Sequence, residues 1–186
     1  MEAREKMVLG ARDPASILKR ISELDLEPIM VKLMDPTEGE GWSLEHVQAV
    51  EKWYRRFLYL NAIYPAKSIV PTKDIDKFWH CHILDTRKYA EDSNSVFGYF
   101  LHHFPYFGMR GEEDHKNLLA ASGETWELFR KHFAEEPQVS DEKLSMSVCG
   151  NVNCYGNGCT GSKCGNCCDG DNCNPTRPQL TESFIN

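Results

Sequence analysis

The stretch Pro71–Asp92 (PTKDIDKFWHCHILDTRKYAED) decides how this chain folds, because its apolar and aromatic residues recur at helical spacing. Thr72 or Asp74 is a suitable first residue, and we expect one helix from there to Asp92. At about 100° per residue, one stripe of this helix is aromatic or apolar and surrounds a histidine. The stripe contains Ile75, Phe78, Trp79, His82, Thr86 and Tyr89. The stretch therefore predicts a buried helix with His82 near the centre of its inner face.

Capping residues and helical periodicity predict further helices on both sides of this stretch. Upstream, we expect a helix that begins at Asp13 and Pro14, a short helix after Pro28 and a long helix capped by Ser43, over residues 44–61. Downstream, Ser93 to Ser95 should break the histidine helix. A short helix over residues 96–104 and a long one over residues 112–135 should follow.

Two sets of residues define how these helices should pack. On the last helix, one face carries His115, Leu119, Ser122, Trp126, Phe129 and Phe133. The long helices should bring together Trp53, Phe57, Phe78, Trp79, Trp126 and Phe129. The sequence thus predicts an all-α fold, a compact bundle of five or six helices, followed by a disordered or irregular Cys-rich C-terminal tail.

The distribution of aromatic residues divides the 186-residue chain into two parts. Beyond Pro137, only Tyr155 and Phe184 are aromatic, so a core can form only in the first part. We expect a helical domain over residues 1–137 and a tail rich in Gly, Asn and Cys over residues 138–186.

Charge and hydropathy narrow the choice of partners and compartment. The net charge is −7 and both parts are acidic, which disfavours binding to nucleic acid or to anionic membranes. No apolar run approaches the ~20 residues of a membrane-spanning helix, and the N-terminus does not resemble a secretory signal. We therefore expect a cytoplasmic protein with reduced thiols.

His82 is the first candidate for a functional residue, since a buried imidazole needs a partner for each ring nitrogen. It could be a core histidine bonded to Asp85 or to a backbone carbonyl. It could instead be a metal ligand, with Asp85, His102 or His103 completing the set, or a general acid or base. Imidazole and carboxylate ligands suit zinc, iron or manganese.

The other histidines are weaker candidates. His80 points to a different face of the helix, near Asp76 and Arg87, so His80 and His82 cannot hold one ion together. His102 and His103 are adjacent, so only one of them can face His82. Cys81 is expected to be a buried, inert thiol. Arg110 precedes Glu112, Glu113 and Asp114 and should form a salt bridge at the start of the last helix.

Two segments, Pro71–Asp92 and Phe97–Asp114 (FGYFLHHFPYFGMRGEED), resemble the glycine-rich domain-containing protein-like family, formerly a domain of unknown function. The pattern W-H-x-H-x-L-D-x-x-x-Y is carried by Trp79, His80, His82, Leu84, Asp85 and Tyr89. The resemblance covers about residues 65–133 and implies a compact helical domain but no particular reaction. Bacterial relatives often have a cysteine where this chain has Ser93.

The tail contains seven cysteines at short spacings: Cys149, Cys154, Cys159, Cys164, Cys167, Cys168 and Cys173. An all-thiolate site would favour soft ions such as Cu(I) or Zn(II), although only one pair has the C-x2-C spacing of zinc sites. The cysteines could instead be modification sites, cross-linked under oxidising stress, or part of a flexible extension with incidental metal affinity.

Taken together, the residues predict a metal-associated protein, with the histidine helix and the cysteine tail as separate sites and zinc, iron or copper as the ion. One alternative is a precursor of a ribosomally synthesised, modified peptide, in which a modifying enzyme docks on the helical domain. A third possibility is a protein–protein interaction module without metal. The sequence does not indicate whether the protein is an enzyme.

Overall fold

A computed structural model of the chain describes residues 13–135, and these residues form six helices and no strand. In chain order the helices are α1 (Pro14–Ser22), α2 (Glu27–Met34), α3 (Leu44–Ile63), α4 (Lys73–Leu84), α5 (Thr86–Phe97) and α6 (Glu112–Phe133). The predicted all-α class and number of helices are therefore confirmed for this part of the chain. None of the six combines the length and apolarity that a membrane-crossing helix needs.

Side-chain caps fix the first residues of the two helices that matter most for the core. The Ser43 hydroxyl accepts a hydrogen bond from the His46 amide at 3.2 Å, and α3 begins at the next residue. The Thr72 hydroxyl accepts from the Ile75 amide at 3.3 Å and starts α4 in the same way. Both caps satisfy amides that the first turn of a helix leaves unpaired, as the sequence predicts.

The long helix α3 lies at the centre and packs against α1, α2, α4 and α6. Its aromatic side chains meet those of α4: the Tyr54 and Phe78 rings are 4.8 Å apart, and the Phe57 ring lies 5.0 Å from that of Trp79. Such offset and edge contacts stabilise a core beyond simple burial. Five of the six predicted core aromatics are buried as expected, whereas Trp126 is only half-buried and lies outside the core cluster.

The prediction of one helix from Thr72 to Asp92 is wrong. Helix α4 ends at Leu84, and Asp85 interrupts the helical path with φ −79° and ψ 69°. Helix α5 then continues through Ser93 and Ser95 to Phe97, although these residues were expected to break it. The break lets α5 fold back against α4, and the burial of Tyr89, Ser93 and Val96 sustains α5 despite its weak helix formers.

The expected helix over residues 96–104 is also absent from the described part of the chain. Gly98 adopts a left-handed conformation with φ 81° and ends α5, and residues 99–111 form an irregular connection. Leu101, Phe104 and Phe107 are buried along this connection. Their three-residue spacing resembles that of a helix face, which explains why the sequence pattern was misleading.

Helix α6 has the expected position but presents a different face. Its buried residues are Asp114, Leu118, Ser122, Thr125, Leu128 and Phe129. Leu119, predicted to face inward, is exposed, and His115 is the solvated first-turn residue that the sequence also allowed. The reason lies in the first turn, where the Asp114 carboxylate turns inward to accept a 2.6 Å hydrogen bond from the Gly108 amide and to pair with Arg110 at 2.6 Å. Of the three acids near Arg110, Asp114 thus forms the described salt bridge.

Two leucines on long helices provide a matched test of this packing. Leu60 on α3 is 0% exposed, whereas Leu119 on α6 is 59% exposed. We expect Leu60→Ala to lower the free energy of unfolding by about 2–5 kcal/mol, because it leaves a cavity in the core. Leu119→Ala should change it by no more than about 0.5 kcal/mol. Urea unfolding followed by circular dichroism measures both, and equal losses would contradict the assigned faces.

Candidate metal centre

His82 lies in the interior, 1% exposed, with both ring nitrogens hydrogen-bonded. The Tyr54 hydroxyl lies 2.9 Å from His82 Nδ1, and Asp92 Oδ2 lies 3.0 Å from His82 Nε2. A carboxylate can only accept, so Nε2 carries the proton and Nδ1 accepts from the tyrosine. His82 is therefore a core histidine that links α3 to α5, with no nitrogen lone pair left for an ion.

An ion pair between Lys88 and Asp92, both partly buried, extends the contacts of His82. Lys88 Nζ donates to Asp92 Oδ2 at 2.9 Å. Burial by itself would raise the pKa of Asp92, but the hydrogen bonds from His82 and Lys88 outweigh it and lower that pKa. Burial also raises the pKa of Tyr54 well above its usual value, so the phenol stays protonated and donates. The Tyr54–His82–Asp92–Lys88 network thus joins α3, α4 and α5 through satisfied polar groups.

Asp85, the predicted partner of His82, is not hydrogen-bonded to the His82 ring in the structure. Asp85 is exposed at the junction of α4 and α5, and Asp92 binds the imidazole instead. On one straight helix Asp92 would point roughly 80° away from His82, so sequence spacing gave no reason to choose it. Only the break at Asp85 brings the two side chains together.

A second cluster on α4 has the character of a metal site. Asp76, His80 and His103 each offer one ligand atom, and these atoms all lie within 4.8 Å of one another. The Nε2 atoms of His80 and His103 are 3.1 Å apart, and His103 Nε2 lies 3.2 Å from Asp76 Oδ1. Two ligands bound to one tetrahedral zinc ion at 2.0–2.1 Å are themselves separated by about 3.3–3.4 Å, so both distances, which are also hydrogen-bond distances, lie within about 0.3 Å of that separation.

Two structural elements supply these three residues. Asp76 and His80 are one turn apart on α4, with Asp76 Oδ2 3.7 Å from His80 Nε2. His103 comes from the irregular connection after α5, and its ring packs 4.5 Å from that of Trp79. The side chains of Asp76 and His103 are about nine-tenths buried, whereas that of His80 is 46% exposed. The cluster is therefore anchored in the protein and open to solvent on the His80 side.

The ring nitrogens of His80 are suited to coordination. Partial burial lowers the pKa of His80, the neighbouring His103 lowers it further, and the opposing effect of Asp76 is smaller than that of burial. A lowered pKa keeps the imidazole neutral at pH 7, which is the form that binds metal ions.

The structure thus separates the predicted ligands into different places. His80 and His103 lie together, although the sequence did not predict this pair. His82 and Asp85 lie elsewhere. His102 is exposed, with its ring 4.9 Å from that of Phe100. Asp76 was expected on the same helix face as His80 but was not proposed as a ligand. Its position four residues before His80 was the available signal, because that spacing places two side chains on one face of a helix.

The remaining candidates fall outside this centre. Cys81 was expected to be buried and inert, but it is only half-buried; partial burial still raises the pKa of its thiol, which disfavours the reactive thiolate. His46 lies 3.3 Å from Asp74, and His132 lies 2.8 Å from the Tyr64 hydroxyl. The seven tail cysteines lie outside the described residues, so the predicted thiolate site remains a prediction.

Comparison with known proteins corrects the resemblance drawn from the sequence. A family model described as UCP032817-like matches residues 18–138, and no glycine-rich domain family is shown. The expected membership in the glycine-rich domain-containing protein-like family is therefore wrong. The motif that suggested it includes Trp79, His82 and Tyr89, which are buried and hydrogen-bonded, so packing alone accounts for much of the pattern. No curated protein and no solved structure matched the chain.

The buried network predicts how stability depends on the Asp92 carboxylate. We expect Asp92→Asn to lower the free energy of unfolding at pH 7 by about 1–3 kcal/mol, since the charged acceptor of His82 and Lys88 is lost. The pKa of Asp92 is lower in the folded protein than its ordinary value. Its contribution is therefore present above about pH 4 and is lost as the pH falls through the folded pKa.

Urea unfolding measured at a series of pH values tests this. The difference in the free energy of unfolding between wild type and Asp92→Asn should narrow below about pH 4. Glu91→Gln, an exposed carboxylate-to-amide change at the preceding residue, is the control and should cost no more than about 0.5 kcal/mol. A gap between Asp92→Asn and wild type that widens in acid would contradict the assigned network.

Proposed function

This chain belongs to the UCP032817-like family, and we propose that its helical domain binds one divalent transition-metal ion through Asp76, His80 and His103. The family description names no activity, so the proposal rests on the arrangement of donor atoms. All three residues lie within the matched range of 18–138.

One observation carries the proposal: two imidazole nitrogens and a carboxylate oxygen from two separate elements lie within 4.8 Å of one another. The two Nε2 atoms face each other at 3.1 Å. If both rings are neutral, one proton at most can lie between these two atoms, and the second Nε2 presents only a lone pair. A cation near both lone pairs and the carboxylate would satisfy all three groups at once.

The donor set favours zinc or ferrous iron. Imidazole and carboxylate ligands suit zinc, iron and manganese, whereas Cu(I) prefers thiolates such as those of the tail. Two neutral imidazoles and one carboxylate would leave a divalent ion with a net charge of +1. Three protein ligands also leave at least one coordination position for water or an exogenous ligand, unlike structural zinc sites with four protein ligands. The exposed side of His80 is the direction from which such a ligand would arrive.

A ligand substitution tests the site against a close control. We expect His103→Ala to weaken Zn²⁺ binding at pH 7.5 by at least about tenfold, because removing even an outer-shell partner of a metal site commonly costs that much. His102→Ala, at the adjacent exposed residue, should leave the affinity unchanged. Isothermal titration of the full chain with Zn²⁺ measures the dissociation constants.

Titration with Co²⁺ in place of Zn²⁺ distinguishes metal bound by the tail cysteines from metal bound at the proposed site. Thiolate ligands give strong ligand-to-metal charge-transfer absorption, which imidazole and carboxylate ligands do not. The wild-type spectrum minus that of His103→Ala should therefore contain ligand-field bands without thiolate charge transfer. If His103→Ala and His102→Ala bind Zn²⁺ like wild type, the proposed site is wrong and any bound metal belongs to other residues.

A further inference from the structure

The position of His103 depends on a connection without regular secondary structure. Asp76 and His80 are fixed by the hydrogen bonds of α4, but His103 lies in the irregular segment of residues 99–111. A metal ligand must be held to within a fraction of an ångström of its productive geometry, and loops hold such positions less well than helices do. Some other contact must therefore hold this part of the connection against α4.

A pair of buried hydrogen bonds provides that contact two residues before His103. The Tyr89 hydroxyl donates to the backbone carbonyl of Leu101 at 2.5 Å. The same oxygen accepts from Trp79 Nε1 at 2.8 Å. Tyr89, Trp79 and Leu101 are each at most 1% exposed, so water cannot replace these bonds. The hydroxyl of α5 thus ties the connection to the helix that carries the other two ligands.

Trp79 also touches the imidazole directly. Its ring centroid lies 4.5 Å from that of His103 at an interplanar angle of 62°, an edge contact that restricts rotation of the imidazole. Trp79 therefore contacts the His103 ring and also donates a hydrogen bond to the Tyr89 hydroxyl. That hydroxyl in turn donates to the Leu101 carbonyl. The three contacts form one continuous path from α4 through α5 to the backbone next to His103.

We infer that Tyr89 and Trp79 are positioning residues that hold His103 in the geometry needed to coordinate an ion with Asp76 and His80. The inference rests on the proposed metal-binding function. The ring of Tyr89 fills the core without its hydroxyl, so the inference assigns the hydroxyl a separate role in positioning His103. A phenylalanine would occupy nearly the same volume but would leave the Leu101 carbonyl and the Trp79 N–H without their partner. Burial raises the pKa of Tyr89 far above neutrality, so its hydroxyl remains a donor at any pH of interest.

Tyr54 is a matched control for this role. Like Tyr89 it is fully buried, and its hydroxyl makes a buried hydrogen bond, but that bond goes to His82 at 2.9 Å. Removing either hydroxyl leaves a buried partner unsatisfied and should destabilise the fold to a similar degree. Only the Tyr89 hydroxyl bonds the connection that carries His103. The two substitutions therefore separate loss of stability from loss of ligand position.

The experiment measures Zn²⁺ affinity of the full-length chain for Tyr89→Phe and Tyr54→Phe, each alone and combined with His103→Ala. We expect Tyr89→Phe to weaken binding about tenfold, as for other groups that orient a metal ligand. Tyr54→Phe should leave affinity unchanged. In the His103→Ala background, Tyr89→Phe should have no further effect, because the ligand it positions is gone. Equal effects of Tyr89→Phe in both backgrounds, or no effect in either, would overturn the inference.

A measurement without metal keeps this result separate from the proposed function. The ring proton resonances of His103, followed by NMR in metal-free protein, should broaden or shift in Tyr89→Phe, which keeps every neighbouring ring, but remain unchanged in Tyr54→Phe. If His103 is mobilised in this way but the wild type binds no Zn²⁺, the positioning role stands and the metal site fails. If its resonances are the same in all variants, the positioning role fails, whatever the wild type binds.

Discussion

The burial of α4 is the constraint on which the rest of the structure depends. This helix lies against α2, α3 and α5, so polar groups on its inner side must find partners within the protein. His82 is satisfied by Tyr54 and Asp92, and the Trp79 indole by Tyr89. Two of these three partners come from α5, which explains why α5 must fold back against α4 instead of extending it. An unsatisfied imidazole or indole would cost free energy comparable to a large part of a single domain's net stability.

That requirement also shapes the edge of α4 where the proposed site lies. Once α5 is folded back, the chain leaves it at Gly98, Leu101 packs into the main core, and Phe104 packs into a second cluster with Val70 and Leu118. His103 then faces Asp76 and His80, which belong to the same helix as the buried histidine. The Tyr89 hydrogen bonds to Trp79 and Leu101 therefore couple α5 to the position of His103. A change that breaks these bonds would disturb His103 even though it touches no candidate ligand.

Sequence reasoning succeeded where the information is local. Ser43 and Thr72 lie directly before their helices, and the spacing of aromatic residues on α3 marks its buried face, so caps and core could be predicted. The break at Asp85 could not, because no glycine or proline accompanies it and only the tertiary pairing of α4 with α5 favours it. The correct partners follow from that break: Asp92 for His82, and His103 for Asp76 and His80. The sequence therefore predicted the residue types that lie near α4 but not the groupings that the structure shows.

The two histidine environments differ in a way that bears directly on metal binding. Around His82, each nitrogen meets a group of complementary character, a phenol that donates and a carboxylate that accepts, so both ring nitrogens have a partner. Around His80 and His103, two nitrogens of the same kind face each other beside a carboxylate. Either a proton or a metal ion could bridge them. Burial and His103 lower the pKa of His80, against a smaller opposing effect of Asp76, so a second proton at this pair is disfavoured at neutral pH. The two nitrogens can then be joined by a single N–H···N hydrogen bond between neutral rings or by a metal ion, and these are the two states that metal titration distinguishes.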